Sequence, residues 1–234
     1  MIYNDDCFDV LASLPDNSID AVITDPPYAT TPLRWDTPID LDEFWRQAKR
    51  LLRKPSSPVV VFADQPFTSV LVCSNLKWFR YEWMWDKHAH SGFLNAWKRP
   101  LKHTEDVVVF SEKAPIYNIQ QHLKPTKKSK GFVPPRTSVA YAELDRENGQ
   151  SSGWTGFLKE RVEFRAVKSG EHPTEKPVEL MEFLVGLYTN EGDVVLDPFM
   201  GSGTTGVACK NLNREFVGVE KDENYFALAG DRLV

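Results

Sequence analysis

Apolar positions in this chain come in two rhythms. The continuous runs Ala21-Val22-Ile23, Val59-Val60-Val61-Phe62, Val107-Val108-Val109-Phe110 and Val194-Val195-Leu196 are short and rich in β-branched residues. They predict strands buried on both faces. Ile2-Tyr3-Asn4 and residues 216–219 read as two more strands. Residues 79–85 alternate, with Tyr81, Trp83 and Trp85 on one side and Glu82 and Met84 on the other. That period of two predicts a seventh strand with one aromatic face, and its tryptophans read as core. Between the strands the spacing changes to three and four. Phe44, Trp45, Ala48, Leu51 and Leu52 predict a helix that Asp40 or Asp42 can cap. Further helices are predicted over 7–14, 68–76, 204–212 and 224–233, and after Pro177, a proline suited to a first helical turn. Strands alternating with helices predict an α/β fold, mostly parallel, with right-handed crossovers.

Two stretches lack either rhythm. Residues 25–40 hold Pro26, Pro27, Pro32 and Pro38, which exclude regular structure. Residues 113–170 are polar and punctuated by proline and glycine. A long irregular stretch inside one domain is usually functional or disordered. The 234 residues therefore read as a single domain, 1–234, with 113–170 as an insert.

Composition narrows the class. Hydrophobic residues make up 41% and charged residues 26%, an ordinary globular mix with no run near the length of a membrane span. Met1-Ile2-Tyr3-Asn4-Asp5-Asp6 has neither a basic nor a long apolar region, so no secretory signal is read there. Cys7, Cys73 and Cys209 lie far apart, in neither a disulfide nor a zinc pattern. The expectation is a reduced, cytoplasmic, metal-free protein. The net charge of −5 hides an asymmetry, because residues 87–136 carry ten Lys and Arg against three acids. That segment is +7 and the remainder −12. A basic face on an acidic body is compatible with gripping a phosphate backbone.

The chemistry sits in two loops, each directly after a predicted strand. Asp25-Pro26-Pro27-Tyr28 follows the first. An exocyclic base amine is a poor nucleophile, because its lone pair is delocalised into the ring. Two acceptors near its N–H bonds favour the pyramidal geometry that frees the pair. The Asp25 carboxylate and the Pro26 carbonyl supply two, the prolines stiffen the loop, and Tyr28 offers a flat face for stacking. A base held there has to leave its duplex.

The second loop, Asp197-Pro198-Phe199-Met200-Gly201-Ser202-Gly203-Thr204-Thr205, contains Gly201-x-Gly203-x-x-Gly206 between strand and helix, and Glu220 ends the next strand. By itself this is a dinucleotide-type fingerprint, with glycines for close approach and an acid for ribose hydroxyls. An NAD-dependent oxidoreductase would leave Asp25 to Tyr28 unexplained. A DNA-binding protein without activity would leave both loops without a task. Asp197-Pro198-Phe199 replaces the usual glycine turn with a carboxylate suited to an amino-acid ammonium.

These two loops, with His172-Pro173-Thr174-Glu175-Lys176-Pro177 between them, resemble bacterial and phage DNA adenine-N6 methyltransferases of the β arrangement, in which the catalytic motif precedes the cofactor motif. The resemblance implies a Rossmann-like, doubly wound, mostly parallel seven-stranded sheet with circularly permuted motif order. It implies S-adenosylmethionine as cofactor and double-stranded DNA as partner, with 113–170 recognising the target, and it allows a homodimer. Residue by residue, Asp25, Pro26, Pro27 and Tyr28 match the catalytic motif. Asp6 matches an acid near the cofactor's adenine. Thr174 and Lys176 match positions near the methionine carboxylate. Asp197, Phe199, Gly201, Gly203 and Thr204 match the methionine-side loop, and Glu220 the ribose acid. Asp at the first catalytic position is the commoner adenine form, whereas Ser there usually marks the cytosine-N4 group. The loop holding Arg34, Trp35 and Asp36 is a candidate for closing over the base. Residues 92–99 are a candidate DNA contact. His88, His90 and His103 have no spacing that suggests a role.

Overall fold

An eight-stranded sheet organises most of the chain in the computed structural model, which describes residues 1–30, 36–125, 154–167 and 175–234. In chain order the elements are β1 (Ile2–Tyr3), α1 (Cys7–Ser13), β2 (Ala21–Thr24), α2 (Leu41–Leu51), β3 (Val59–Ala63), α3 (Phe67–Ser74), β4 (Phe79–Ser91) and β5 (Lys102–Phe110). There follow the short β6 (Lys124–Pro125), β7 (Trp154–Thr155) and β8 (Arg161–Glu163), then α4 (Val178–Tyr188), β9 (Val194–Asp197), α5 (Thr204–Asn211), β10 (Glu215–Val219) and α6 (Glu223–Leu233). The sheet order is β1-β10-β9-β2-β3-β5-β4-β8. All pairings are parallel except those of β5 with β3 and with β4. The seven expected strands are all present. The eighth, β8, is an edge strand inside the stretch read as irregular, too short and too polar for periodicity to reveal.

The helices form two groups, α1 to α3 and α4 to α6, each in mutual contact. The first group shows how sequence becomes core. Asp40 caps α2, its side chain accepting from the Glu43 N–H at 3.0 Å. The α2 face of Phe44, Trp45, Ala48 and Leu51 is buried in one cluster with Val22, Val59, Val61, Val108, Phe110 and Leu196 from the sheet. Trp45 lies 4.8 Å from Phe110 between ring centroids, and its indole N–H reaches Ser74 Oγ at 2.7 Å. Fully burying each such aromatic contributes roughly 1.5–3 kcal/mol. The tryptophans of β4 are core as expected, with Trp83 and Trp85 both buried.

Topology places the site. β2 and β9 are neighbours, with Ala21 opposite Val195 and Val22 opposite Leu196. From β2 the chain crosses through α2 to β3 on one side; from β9 it crosses through α5 to β10 on the other. The order therefore reverses between β2 and β9. Such a switch point opens a crevice at the carboxyl ends of the strands, because the two crossovers leave in opposite directions. Both chemical motifs lie there.

The β4–β5 hairpin runs beyond this edge. Ala63, the last residue of β3, pairs with Asp106, and the β4–β5 ladder continues past it through Asp86–Thr104 to Ser91–Lys102. Both strands are longer than the apolar pattern predicted. Residues 86–91 and 102–105 are mostly polar, with Asp86 and Glu105 buried, and the ladder shifts register between Asp86 and Ser91.

The described residues cluster as two units, Met1–Asn118 with Glu160–Val234, and Ile119–Lys159. Within the second, β6 pairs antiparallel with β7. Much of the expected target-recognition segment lies outside the described residues. Among the described residues no helix is long and apolar enough to cross a membrane.

Candidate active site

Asp25 is the first residue after β2, and its neighbours Thr24 and Pro26 are buried. Thr24 Oγ donates to Asp197 Oδ1 at 2.7 Å, tying the carboxyl end of β2 to that of β9. The catalytic-type loop and the glycine loop therefore start from one hydrogen-bonded point. Beyond Tyr28 the chain turns through Ala29 at a positive φ of 56°. The N–H groups of Ala29 and Thr30 donate to the buried Asp36 carboxylate at 2.7 and 2.9 Å. Asp36 thus fastens the loop to its own beginning. Its neighbours Arg34 and Trp35 lie outside the described residues.

Asp25 belongs to a cluster with Tyr28 of its own loop, Lys87 of β4, Glu105 of β5 and Lys176 just ahead of α4. Tyr28 Oη is 2.5 Å from Asp25 Oδ1 and 2.9 Å from Glu105 Oε1. The Lys176 ammonium donates to Asp25 Oδ2 and lies 3.1 Å from Glu105 Oε1. Lys87, from β4, is 3.4 Å from the other Glu105 oxygen. The Lys176 Nζ is 5.0 Å from the Phe62 ring centroid and 6.0 Å from that of Trp85, so aromatic faces wall it in. Tyr28 stacks on Phe67 with centroids 5.3 Å apart and planes 20° from parallel. One face of its ring is thus backed by the core.

The charges follow from these neighbours. Burial pushes the Asp25 carboxyl up from its ordinary value; the Lys176 ammonium opposes this and the Glu105 charge adds to it. Burial works against Glu105 too, but Lys176 and Lys87 outweigh it and hold that carboxyl low. Burial alone would lower Lys176, yet the two carboxylates raise it, so it stays charged. Burial and the same two carboxylates keep the Tyr28 hydroxyl protonated.

The glycine loop is built from nearer parts. Met200 N–H donates to the Val219 carbonyl at 2.9 Å and Gly201 N–H to Glu220 Oε2 at 3.0 Å, which pin the loop to the end of β10. Glu220 also accepts from Asp222 N–H at 2.8 Å, and burial raises its carboxyl. Gly203 precedes α5 at φ 79°, where a side chain is strained, and a methyl group there would meet Ala229 Cβ at 3.0 Å. Arg232 of α6 holds the loop from behind, at 3.0 Å from the Ser202 carbonyl, and pairs with Glu175 at 2.9 Å. Glu175 is thus linked to the glycine loop through Arg232, and Lys176 binds directly to Asp25 of the other loop.

Most expected site residues converge on this edge, some in a different posture. Asp6 sits past β1, next to the end of β10, where it caps α1 and lies 3.1 Å from Lys221. Phe199 is half-buried and Thr204 begins α5. Thr174 lies outside the described residues. Asp197 was read as a carboxylate for an ammonium ion. In the structure it is buried and accepts from Thr24, Thr205 and the Phe199 N–H, and burial pushes its carboxyl up to about 6. It joins the strands. Lys176, expected near the methionine carboxylate, places its ammonium on Asp25 and Glu105, as a buried cation is drawn to the nearest buried anions. Sequence reading missed Glu105, Lys87, Glu175 and Arg232. The available signal for Glu105 was an acid in register with Val107 and Val109 on the face of a central strand.

A family model described as DNA methylase matches residues 19–231. The chain belongs to this N6/N4 DNA methylase family. Among curated relatives, M2.LlaDCHI, a type II methyltransferase of Lactococcus lactis subsp. cremoris, is 27% identical over 252 aligned residues, covering 97% of this methylase and 87% of the relative. The type II methyltransferase M2.DpnII of Streptococcus pneumoniae is 45% identical over 91 residues, 39% of this chain and 33% of the relative. Among solved structures, the M1.HpyAVI complex with S-adenosylmethionine is 28% identical, with a TM-score of 0.64, covering 100% of this chain and 99% of that one. The cytosine-N4-specific PvuII DNA methyltransferase has a TM-score of 0.72 at 19% identity, covering 100% of this chain and 86% of that one, a likeness of fold alone.

S-adenosylmethionine is the cofactor of this methylase. The residues fit it. Glu220 follows β10 and Asp6 caps α1 beyond the adjacent β1, and both offer carboxylate oxygens to which hydroxyls and an amine can donate. The positive φ of Gly201 and Gly203 folds the loop against the end of β10 and against Ala229 of α6. Asp25 stands across the switch point from that loop.

Proposed function

We propose that this DNA methyltransferase acts on the N6 amine of an adenine turned out of double-stranded DNA. The observation that carries the reading is the Asp25 carboxylate, partly exposed at the switch point and tied through Thr24 and Asp197 to the root of the glycine loop. Aspartate rather than serine at this position favours adenine. The bound cofactor supplies a methyl group on a positively charged sulfur. Asp25 and the Pro26 carbonyl accept hydrogen bonds from the amine and aim its lone pair at that carbon. As the N–C bond forms and the S–C bond breaks, the amine nitrogen gains positive charge, which Asp25 stabilises. Asp25 then takes the surplus proton and releases it to water. The free face of Tyr28 stacks on the base.

The β4–β5 hairpin supports DNA as the partner. Residues 87–104 contain four Lys and Arg and no acid. At its tip Leu94 and Trp97 are fully exposed, beside Lys98 and Arg99. Lysines and arginines serve the phosphates, and exposed aromatics serve unstacked bases.

The test is to incubate the protein with labelled S-adenosylmethionine and unmethylated genomic DNA, digest the DNA and identify modified nucleosides by mass spectrometry. N6-methyladenine is expected. N4-methylcytosine would overturn the base assignment and keep the mechanism.

A further inference from the structure

Resting on the reading above, we propose that Glu105 is a positioning residue that compensates charge. It shares the Lys176 ammonium, so that Lys176 anchors Asp25 without cancelling the negative charge that Asp25 turns toward the reacting amine.

The problem it solves is electrostatic. A nearly buried ammonium bonded to Asp25 fixes that carboxylate in place, but the pair alone is neutral. The reaction builds positive charge on the amine, and a neutral pair, with its cation nearby, stabilises that charge poorly. Glu105 Oε1 lies 3.1 Å from the same ammonium. Asp25, Glu105 and Lys176 then carry one net negative charge between them, and Lys87 pairs with the other Glu105 oxygen, 3.4 Å away, rather than with Asp25. Exposure divides the labour, since the side chains of Lys176 and Glu105 are 9% and 10% exposed and that of Asp25 is 24%. Only Asp25 is presented to the crevice; the other two stand behind it. Tyr28 completes the frame, because its hydroxyl oxygen lies 2.5 Å from Asp25 Oδ1 and 2.9 Å from Glu105 Oε1, within donating reach of either carboxylate.

The charged and titratable groups around Asp25 come from each neighbouring element. They are Lys176 ahead of α4, Glu105 from β5, Tyr28 from its own loop and Asp197 from the end of β9. Lys87 from β4 acts at one remove, on the far Glu105 oxygen, with its side chain 20% exposed. Removing the Glu105 charge leaves Lys176 to Asp25 alone. The Asp25 carboxylate then becomes a weaker base.

Glu105→Gln tests this by keeping size and one acceptor oxygen for Lys176 and Tyr28 while removing charge. Two quantities are measured for wild type and variant: the pH profile of kcat with S-adenosylmethionine and unmethylated DNA, and the titration of the Asp25 carboxyl by NMR on protein labelled with carbon-13 aspartate. Expected are a kcat reduced about tenfold or more, an acid limb moved to lower pH, and an Asp25 titration lowered by about one unit. Glu105→Asp should restore part of the rate. An unchanged Asp25 titration in folded Glu105→Gln would overturn the proposal, even if activity fell, because the role would then be packing. The titration also separates this proposal from the reaction it serves. A wild type that shows the coupling yet methylates no DNA would sink the function and leave the pairing of the carboxylates standing.

Discussion

The two loops that meet at the switch point are built on different principles. The glycine loop after β9 is local. Its turn, helix start and clamping acid span residues 197–220, and backbone N–H groups and positive φ angles do most of its work. The pocket after β2 is assembled at long range. Asp25, Lys87, Glu105 and Lys176 arrive from separate elements, and charge holds them together. A backbone-built loop is vulnerable to shape. A charge-built pocket is vulnerable to the loss or titration of one member. Substitutions on the two sides should therefore fail in different ways.

The largest effect should come from the pocket. Asp25→Ala should lower methyl transfer by about a thousandfold or more, with S-adenosylmethionine binding by calorimetry largely kept. The Lys176 ammonium retains Glu105, so the protein should fold. Normal turnover would show that Asp25 is not the amine acceptor. The wild-type rate should also rise with pH through a transition above the ordinary aspartate range. The ionised form is the working one, and burial holds its proton on to higher pH.

The complementary break is in the glycine loop. Gly203→Ala should destabilise the protein by about 1–2 kcal/mol from the left-handed φ, aggravated by the close approach of Ala229. Cofactor affinity should fall with it, read as a lower melting temperature and a larger Kd. An unchanged Kd would mean that the loop can be reshaped without reaching the cofactor. The smallest effect should come from the hairpin tip. Trp97→Ala removes a fully exposed side chain, so thermal stability should not move, while the KM for DNA rises a few-fold. A KM that does not respond would place the DNA elsewhere.

Legibility tracks the same division. The glycine loop and all seven expected strands could be read from the chain, because buried runs, turn residues and caps are local signals. Asp25 to Tyr28 could be read because the motif is contiguous. Glu105 could not, since an acid in a strand gains meaning only from what lies across from it. β8 and the outer turns of the hairpin escaped because hydrogen bonds to neighbouring strands define them, and alternation in three to six polar residues carries no signal.

The α/β class, the strand and helix order and the two chemical loops were legible in the chain, because each depends on burial, spacing or backbone conformation within a short segment; the cofactor came from the family resemblance those loops carry. Only the tertiary structure decided that Lys176 serves Asp25, that Asp197 joins β2 to β9 through Thr24, and that Glu105 stands behind both. A buried charge takes whatever opposite charge the fold brings within reach, and the order of strands in the sheet sets that reach, not distance along the chain.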